Sequence, residues 1–422
     1  MRFKRPRGTQ DLFGDRMRSW SRVERMLASL AASYGYSEIR TPVFEVSELF
    51  VRAVGEATDI VSKEMYVFTD KKGRSLTLRP ENTAPVMRAF IENGLHRAGG
   101  ISKFWYMGPM FRYDRPQAGR YRQFHQFGAE AIGHPGPAVD AEIIDLSLAV
   151  YRIFGFEGLE VRLNSVGCPV CRPGFRDVLR GALEERKEEL CDDCRERAVL
   201  NPMRIFDCKE CVGIKTELPV ITDHLCGECS DHFEGLQAIL RSMDIDFILD
   251  PLLVRGLDYY TKTAYEVLHP GLGGQNALCG GGRYDGLAEE CGGGKIPAVG
   301  FSAGMERLME NLPEEFSAST GTDAVDAFFI LPDESSSARV LSIASSLRRA
   351  GVLVSVDLSG RSMKKQMKAA SESGAPLAVI IGPEELDIGE AAVKVLSGGD
   401  QESVSFAELR ERILRERKGE RE

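Results

Sequence analysis

The sequence predicts an α+β chain: an antiparallel-sheet domain with a mainly helical, cysteine-rich insert, followed by a C-terminal α/β domain. Three observations carry this expectation. Strand-like runs come in adjacent, turn-linked pairs before residue 168 and resume after 244. Eight of the ten cysteines form four CxxC pairs (Cys168/Cys171, Cys191/Cys194, Cys208/Cys211, Cys226/Cys229) within one charged 62-residue stretch. Beyond a polar linker at 311–323, apolar runs alternate with helical patterns, as in a mostly parallel sheet.

At 422 residues the chain accommodates roughly two to four domains. The expected divisions are 1–167 with 245–312, an insert at 168–244, and a last domain at 323–422. In order, a helix is expected from about Arg16 to Tyr34, since Val23, Met26, Leu27, Leu30 and Ala31 follow the i, i+3, i+4 stripe and Gly35 stops it. A strand over 37–46 follows, its Pro42 pointing to a sheet edge or interface. A hairpin turns at DKKG (70–73) and leads into a helix starting near Asn82 or Thr83.

A second hairpin, 104–130, turns at RPQAG. A helix at 137–154 and a strand at 159–167 precede the insert, whose helical patterns lie at 174–190 and 231–243. Antiparallel β character is expected again at 245–269. Of the glycine-rich stretch after it, only AGMERLMENL reads as a helix. The glycine runs 271–274, 280–282 and 292–294 do not sit at strand-to-helix turns, so they suit close backbone approach or loops rather than a dinucleotide. The charged tail ELRERILRERKGERE reads as a solvated terminal helix.

Composition, 43% hydrophobic and 28% charged, is that of an ordinary soluble enzyme, and no apolar run is long enough to span a membrane. The N-terminus has no secretory signature, which makes the cytoplasm the expected compartment. Net charge is −9, but residues 1–130 hold 22 Lys+Arg against 14 Asp+Glu, a local +8. Polyanion binding depends on that local field.

The 104–130 hairpin concentrates the chemistry. Alternation places Arg120, Arg122, Phe124, Gln126, Gly128 and Glu130 on one face, with Met110, Arg112 and Asp114 sharing a face of the first strand. Such a face suits a polyanion bound beside a flat ring. The alternative, a solvated edge hairpin, fits poorly with Trp105, Tyr106 and Phe111, which suit a strand buried on its other side. His125 falls on the opposite face, and the six scattered histidines are assigned no catalytic role.

FRYDRPQAGRYRQFHQFGAE resembles motif 2 of the class II aminoacyl-tRNA synthetases, TPVFE (41–45) motif 1, and PAVGFSAGMERL (297–308) motif 3. LRPENTA and VRGLDYYT add the pattern of the histidyl-tRNA synthetases. The resemblance covers essentially the whole chain. It implies a six-stranded antiparallel catalytic sheet, a homodimer through motif 1 and a C-terminal anticodon-binding domain. It also implies a two-step reaction, in which histidine attacks the α-phosphate of ATP, bound with Mg2+, and the adenylate then acylates tRNA(His).

By the same resemblance, Arg112 matches the α-phosphate arginine, Arg307 the arginine at the far end of ATP, and Phe124 the adenine-stacking position. Arg120 and Asp114 are further candidates there. Arg255 matches the catalytic arginine of this family, the alternative being an ordinary strand salt bridge. Glu81, Thr83 and Gln126 match positions near the histidine ammonium. Glu130, Tyr259 and Tyr260 match positions around the side chain, with Tyr284 a neighbour and no side-chain role assigned to Asn82. Arg115 and Gln117, at the hairpin tip, are candidates to meet the tRNA acceptor end. Such groups suit attack of one anion on another, which is mainly electrostatic work.

Two CxxC pairs supply one tetrahedral ligand set, so the eight cysteines are candidates for two structural zinc sites. Reduced thiols in a helical insert are the alternative, and chain order leaves the pairing open. Another reading of the whole chain is a histidine-binding regulatory paralog of ATP phosphoribosyltransferase. Such paralogs usually lose the C-terminal domain and the ATP-gripping arginines, whereas Arg112, Arg255 and Arg307 are all present here. A synthetase for threonine or proline fits RGLDYYT and Glu130 less well.

Overall fold

The first amphipathic stripe folds as a helix over Gly14–Ser33, burying Trp20, Val23, Leu27 and Ala31. The structure is a computed structural model and describes residues 3–56, 58–114, 120–313, 316 and 325–419. It divides into two compact units, Met1–Ala318 and Ser319–Glu422.

The first unit contains β1 (Ser37–Glu38), β2 (Phe44–Val46), β3 (Tyr66–Thr69), β4 (Ser75–Leu78), β5 (Ser102–Phe111) and β6 (Gln123–Ile132). They are followed by β7 (Glu160–Ser165), β8 (Phe247–Leu249), β9 (Thr261–Leu268), β10 (Ala277–Arg283) and β11 (Ala298–Gly304). A small sheet has the order β2-β4-β3, and the main sheet the order β1-β5-β6-β11-β10-β9-β7-β8. Its six central strands pair antiparallel, as expected. The short edge strands β1 and β8 add to it in parallel.

Two expectations need correction, and a third is met in one of its two forms. The strand over 37–46 is broken in two, because Pro42 offers no N–H and the Thr41 carbonyl accepts from the Arg79 guanidinium instead (3.0 Å). The β character over 245–269 is interrupted at 250–260, where the chain leaves the sheet and the Asp258 N–H donates to the Val54 carbonyl (3.1 Å). Arg255 is therefore in an irregular segment and not on a strand. The run Gly280–Gly282 is the middle of β10, and a Cβ on Gly281 would fall 2.3 Å from the Gly300 carbonyl oxygen. Glycine there permits close strand approach, and it hid a strand in the sequence.

Alternation along β6 sorts its side chains. Phe127, Ala129 and Ala131 enter a core with the helices Gly14–Ser33, Pro137–Arg152 and Gly227–Ser242. On the other face, Tyr106, Met110, Tyr259, Tyr260 and Tyr284 pack with the helices Thr83–Glu92 and Arg172–Glu185. The cysteine-rich stretch is mainly helical and contributes to both cores, through Phe233, Leu236 and Leu240 on one side and Phe175, Leu179 and Phe206 on the other. Arg283 and Asp140 form a fully buried ion pair, and the same guanidinium also donates to the His134 carbonyl (3.0 Å).

The second unit has strand order β13 (Val354–Val356), β12 (Ala327–Ile330), β14 (Leu377–Ile380), β15 (Glu390–Val395), β16 (Gln401–Ser405). The first three are parallel, as alternating helices and strands require, while β15 and β16 are antiparallel additions. The tail helix Leu409–Gly419 is anchored rather than merely solvated, since Leu409 and Ile413 are buried. Among the described residues, no helix is long and apolar enough to cross a membrane.

Candidate active site

The chain enters the helix Thr83–Glu92 through Glu81, whose carboxylate accepts the N–H groups of Thr83 (2.7 Å) and Ala84 (3.1 Å). These are orphan donors at the positive end of the helix, which a carboxylate satisfies. Burial pushes the Glu81 carboxyl above its usual range, against the pull of those N–H groups and of Arg112. The Thr83 hydroxyl donates to a Glu130 carboxylate oxygen (2.7 Å), and the Tyr284 hydroxyl donates to the other. Burial raises Glu130 to about 8, although both hydroxyls favour its charged form.

Glu130 fits only because its neighbour on β11 is glycine: a Cβ at Gly300 would lie 1.6 Å from Glu130 Oε2. Four residues back along β6, the Gln126 side-chain carbonyl is buried without a partner, while its amide donates to Ser302 Oγ at 3.4 Å. The Tyr259 ring lies 4.8 Å from Tyr260 and 5.6 Å from Tyr284. Glu81, Thr83, Gln126, Glu130, Tyr259, Tyr260 and Tyr284 are thus drawn into one region. Two buried carboxyl groups and an unsatisfied carbonyl can accept hydrogen bonds from an ammonium and from ring N–H groups. Tyr106 was missed. It is buried beside Gly128, where a Cβ would fall 2.4 Å from its hydroxyl.

A cleft of about 440 Å³ is lined by Arg112, Arg120, Arg307, Phe124, Glu64 and Arg204, among others. Arg112 Nε donates to the Pro80 carbonyl (2.9 Å), and its guanidinium lies 5.4 Å from the Phe124 ring centre. Arg307 donates to the Ala277 carbonyl, and Arg120 pairs with Asp114 (3.1 Å). Burial lowers both Arg112 and Arg307, yet a guanidinium stays charged at any working pH. The cleft therefore offers fixed cations beside an aromatic face. Arg122 does not join them: β6 starts at Gln123, and Arg122 stacks on Tyr113 at 3.9 Å.

Arg255 lies next to this cleft, lining a small adjoining one with Arg172, Arg176, Arg204, Asp258 and Tyr260. It pairs with Glu266 and covers Gly280, where a Cβ would sit 2.4 Å from its guanidinium. The ion pair that was the plain alternative exists, but Arg255 Nε remains buried without a partner. The role of Asn82 was also missed: its side-chain oxygen accepts from Thr41 (2.6 Å) and Arg79 (3.0 Å), tying the two loops together. Arg115 and Gln117 lie outside the described residues.

The eight cysteines gather in two groups, Cys168/Cys171/Cys226/Cys229 and Cys191/Cys194/Cys208/Cys211, each with all sulfurs within 4.8 Å. The pairing is nested, which chain order had left open. Sulfur separations of 3.7 Å (Cys168–Cys171 and Cys191–Cys208) and 3.9 Å (Cys168–Cys226) match the roughly 3.8 Å edge of a tetrahedron with ~2.3 Å zinc–sulfur bonds. Backbone N–H groups of Glu210 (3.3 Å) and Cys211 (3.4 Å) point at the Cys208 sulfur. Burial alone would raise that thiol, but these donors and the neighbouring thiols bring it down to about 7. The set fits a metal that binds thiolates.

A family model described as histidyl-tRNA synthetase matches residues 8–199 and 213–308, and one described as an anticodon binding domain matches 326–416. Histidine–tRNA ligase from Desulforudis audaxviator is 49% identical, with the match covering 99% of this chain and 100% of the relative. That from Caldanaerobacter subterraneus is 45% identical over 97% and 99%. The apo histidyl-tRNA synthetase structure of S. aureus is 37% identical and superposes with a TM-score of 0.81 over 97% of this chain and 99% of that one. With its antiparallel catalytic sheet, cysteine-rich helical insert and anticodon-binding domain, the chain belongs to the histidyl-tRNA synthetase family.

Proposed function

We propose that the chain is a histidine–tRNA ligase that forms histidyl adenylate from histidine and ATP–Mg2+ and transfers histidine to tRNA(His). The observation that carries this is the Thr83–Glu130–Tyr284 hydrogen-bonded set beside a cleft of fixed arginines. In this reading Glu81, Thr83 and Gln126 receive the histidine ammonium. Glu130 accepts a ring N–H, with Tyr259, Tyr260 and Tyr284 enclosing the ring. Phe124 stacks adenine, Arg112 holds the α-phosphate, Arg307 the far phosphates, and Arg120 and Asp114 border the triphosphate.

A histidine carboxylate oxygen attacks the α-phosphorus, the bond to the bridging oxygen breaks, and pyrophosphate leaves. Arg112 and Arg255 neutralise the charge that builds up on the α-phosphate, an effect strongest in a water-poor cleft. The terminal ribose hydroxyl of tRNA then attacks the adenylate carbonyl and AMP leaves. Arg115 and Gln117 are candidates to meet the acceptor end, and the second unit to meet the anticodon.

The exposed side chains Val43, Phe44, Val46, Val67 and Phe68 cluster on and beside the small sheet, and support a homodimer through the motif 1 region. Working domains are 1–167 with 245–312, the insert 168–244, and 323–422, in a cytoplasmic enzyme. The two cysteine groups hold structural Zn2+. The regulatory-paralog reading is disfavoured by the arginine set and by the second unit. Histidine-dependent ATP–pyrophosphate exchange, followed by charging of tRNA(His), tests the proposal. Exchange without histidine preference overturns the substrate, and histidine binding without exchange overturns the ligase activity.

A further inference from the structure

Arg204 belongs to the cysteine-rich stretch, yet it lines the cleft that holds Arg112, Arg120 and Arg307. It sits in a six-residue 3-10 segment, Pro202–Asp207, caught between Cys194 and Cys208 of one cysteine group. Only three residues separate it from the Cys208 sulfur. One Nη donates to Asp258 (2.7 Å), three residues after Arg255, and the other to Asp207 (3.2 Å). The same Asp258 oxygen accepts from the Asn201 amide (3.2 Å), so the start and the middle of the turn are tied to the Arg255 segment. Asp258 in turn presses on Gly55, where a Cβ would lie 2.6 Å from its carboxylate.

The guanidinium side chain is only 12% exposed. An arginine carries five N–H donors, and the two carboxylates engage one on each Nη. It therefore has donors to spare for a phosphate, while Asp258 and Asp207 hold its direction. Met203, Ile205 and Phe206 anchor the turn from below, but the flanking helix Asp192–Leu200 is mostly charged and leaves the outer end to the cysteines.

We propose that the Cys191/Cys194/Cys208/Cys211 centre is a zinc tether whose task is to hold Arg204 at the triphosphate cleft, as a further ATP-positioning residue contributed by the insert. This rests on the ligase reading above and on zinc occupying that centre. Loss of one charge-assisted hydrogen bond to phosphate corresponds to a change of about tenfold in binding. The expected results, by elemental analysis and ATP–pyrophosphate exchange, concern three variants of the full chain. The unaltered protein carries two zinc ions per chain, and Cys208→Ser carries one. Arg204→Ala and Cys208→Ser each raise KM for ATP about tenfold, with KM for histidine within about twofold. Arg204→Lys recovers part of the loss while keeping both zinc ions.

An unchanged KM for ATP in Arg204→Ala, or equal rises for both substrates, overturns the positioning role. A normal KM for ATP in Cys208→Ser after loss of one zinc overturns the tether. Zinc-free unaltered protein overturns the metal reading and the tether with it. Absence of any histidine-dependent exchange in the unaltered protein overturns the ligase reading instead. Should Cys208→Ser fail to fold, removing zinc from the intact protein with a chelator and restoring it must shift KM for ATP reversibly, and an irreversible or absent shift overturns the tether.

Discussion

The Thr83 hydroxyl donates to Glu130 at 2.7 Å, joining the first residue of a helix to the middle of the main sheet. The same Thr83 N–H is held by Glu81, so two carboxyl groups from distant parts of the chain meet across one residue. In the proposed reading, their electrostatics govern what the pocket accepts.

Glu130→Gln keeps the shape but replaces a carboxyl that histidine binding can ionise with an amide that cannot carry charge. Histidine affinity is expected to fall by about 1.5–3 kcal/mol, roughly ten- to a hundredfold, with KM for ATP unchanged. Titration calorimetry with histidine and exchange kinetics in ATP check it, and equal losses for both substrates would contradict the assignment.

Burial raises Glu130 from 4.5 to about 8, so the native protein holds a proton that the unfolded chain releases across this range. The stability from this group is full below the ordinary carboxylate range and is lost as pH rises through about 8. Melting of ligand-free protein is therefore expected to drop between pH 6 and pH 8.5 more steeply for the unaltered chain than for Glu130→Gln. Parallel curves would mean that Glu130 titrates normally.

Gly300→Ala would place a Cβ 1.6 Å from Glu130 Oε2 and 2.6 Å from the Ala129 carbonyl oxygen. The neighbouring backbone cannot yield as a flexible side chain does. A loss of about 1–3 kcal/mol in stability is expected, together with histidine binding weaker than the stability loss alone explains. Denaturant melts alongside histidine titration measure the two effects.

Arg255→Ala should cripple adenylation far more than histidine binding, because the charge it meets grows in the transition state. A fall of about 10²–10³ in exchange kcat is expected. Histidine affinity by calorimetry should shift by no more than about threefold. Comparable losses in both would make Arg255 a ground-state contact or a mere partner of Glu266.

Arg283→Met strands Asp140 in the core beside His232 Nε2, at 3.6 Å. A destabilisation of about 3–5 kcal/mol is expected, partly recovered by adding Asp140→Asn. Thermal unfolding of the single and double variants tests whether the charge, rather than the lost volume, is responsible.

Residues 104–130 were legible because alternation is a local property. Phe124, Gln126 and Glu130 share a face wherever a strand exists, and Gly128 between them leaves the room that Tyr106 fills. Arg122 was misplaced by the same reasoning, since alternation does not say where β6 begins. At Gly280–Gly282 close backbone approach was legible but the strand was not, because a glycine run carries no apolar pattern although it forms part of a strand. Arg204 had no periodic signal. Its one cue was its position in a short segment between two CxxC pairs, and without their pairing that cue points nowhere.

By itself the sequence determined the chemistry: its motifs carry the family, the arginines and carboxylates supply the charges, and CxxC spacing supplies the thiolates. Residue type and local spacing suffice for that, because side-chain chemistry and alternation act within a few residues. Only the tertiary structure decided which distant groups meet. Glu130 with Thr83 and Tyr284, the nested cysteine pairing and the entry of Arg204 into the cleft all depend on long-range packing. Such contacts are selected by burial and by steric gaps such as Gly300, which no local pattern along the chain can encode.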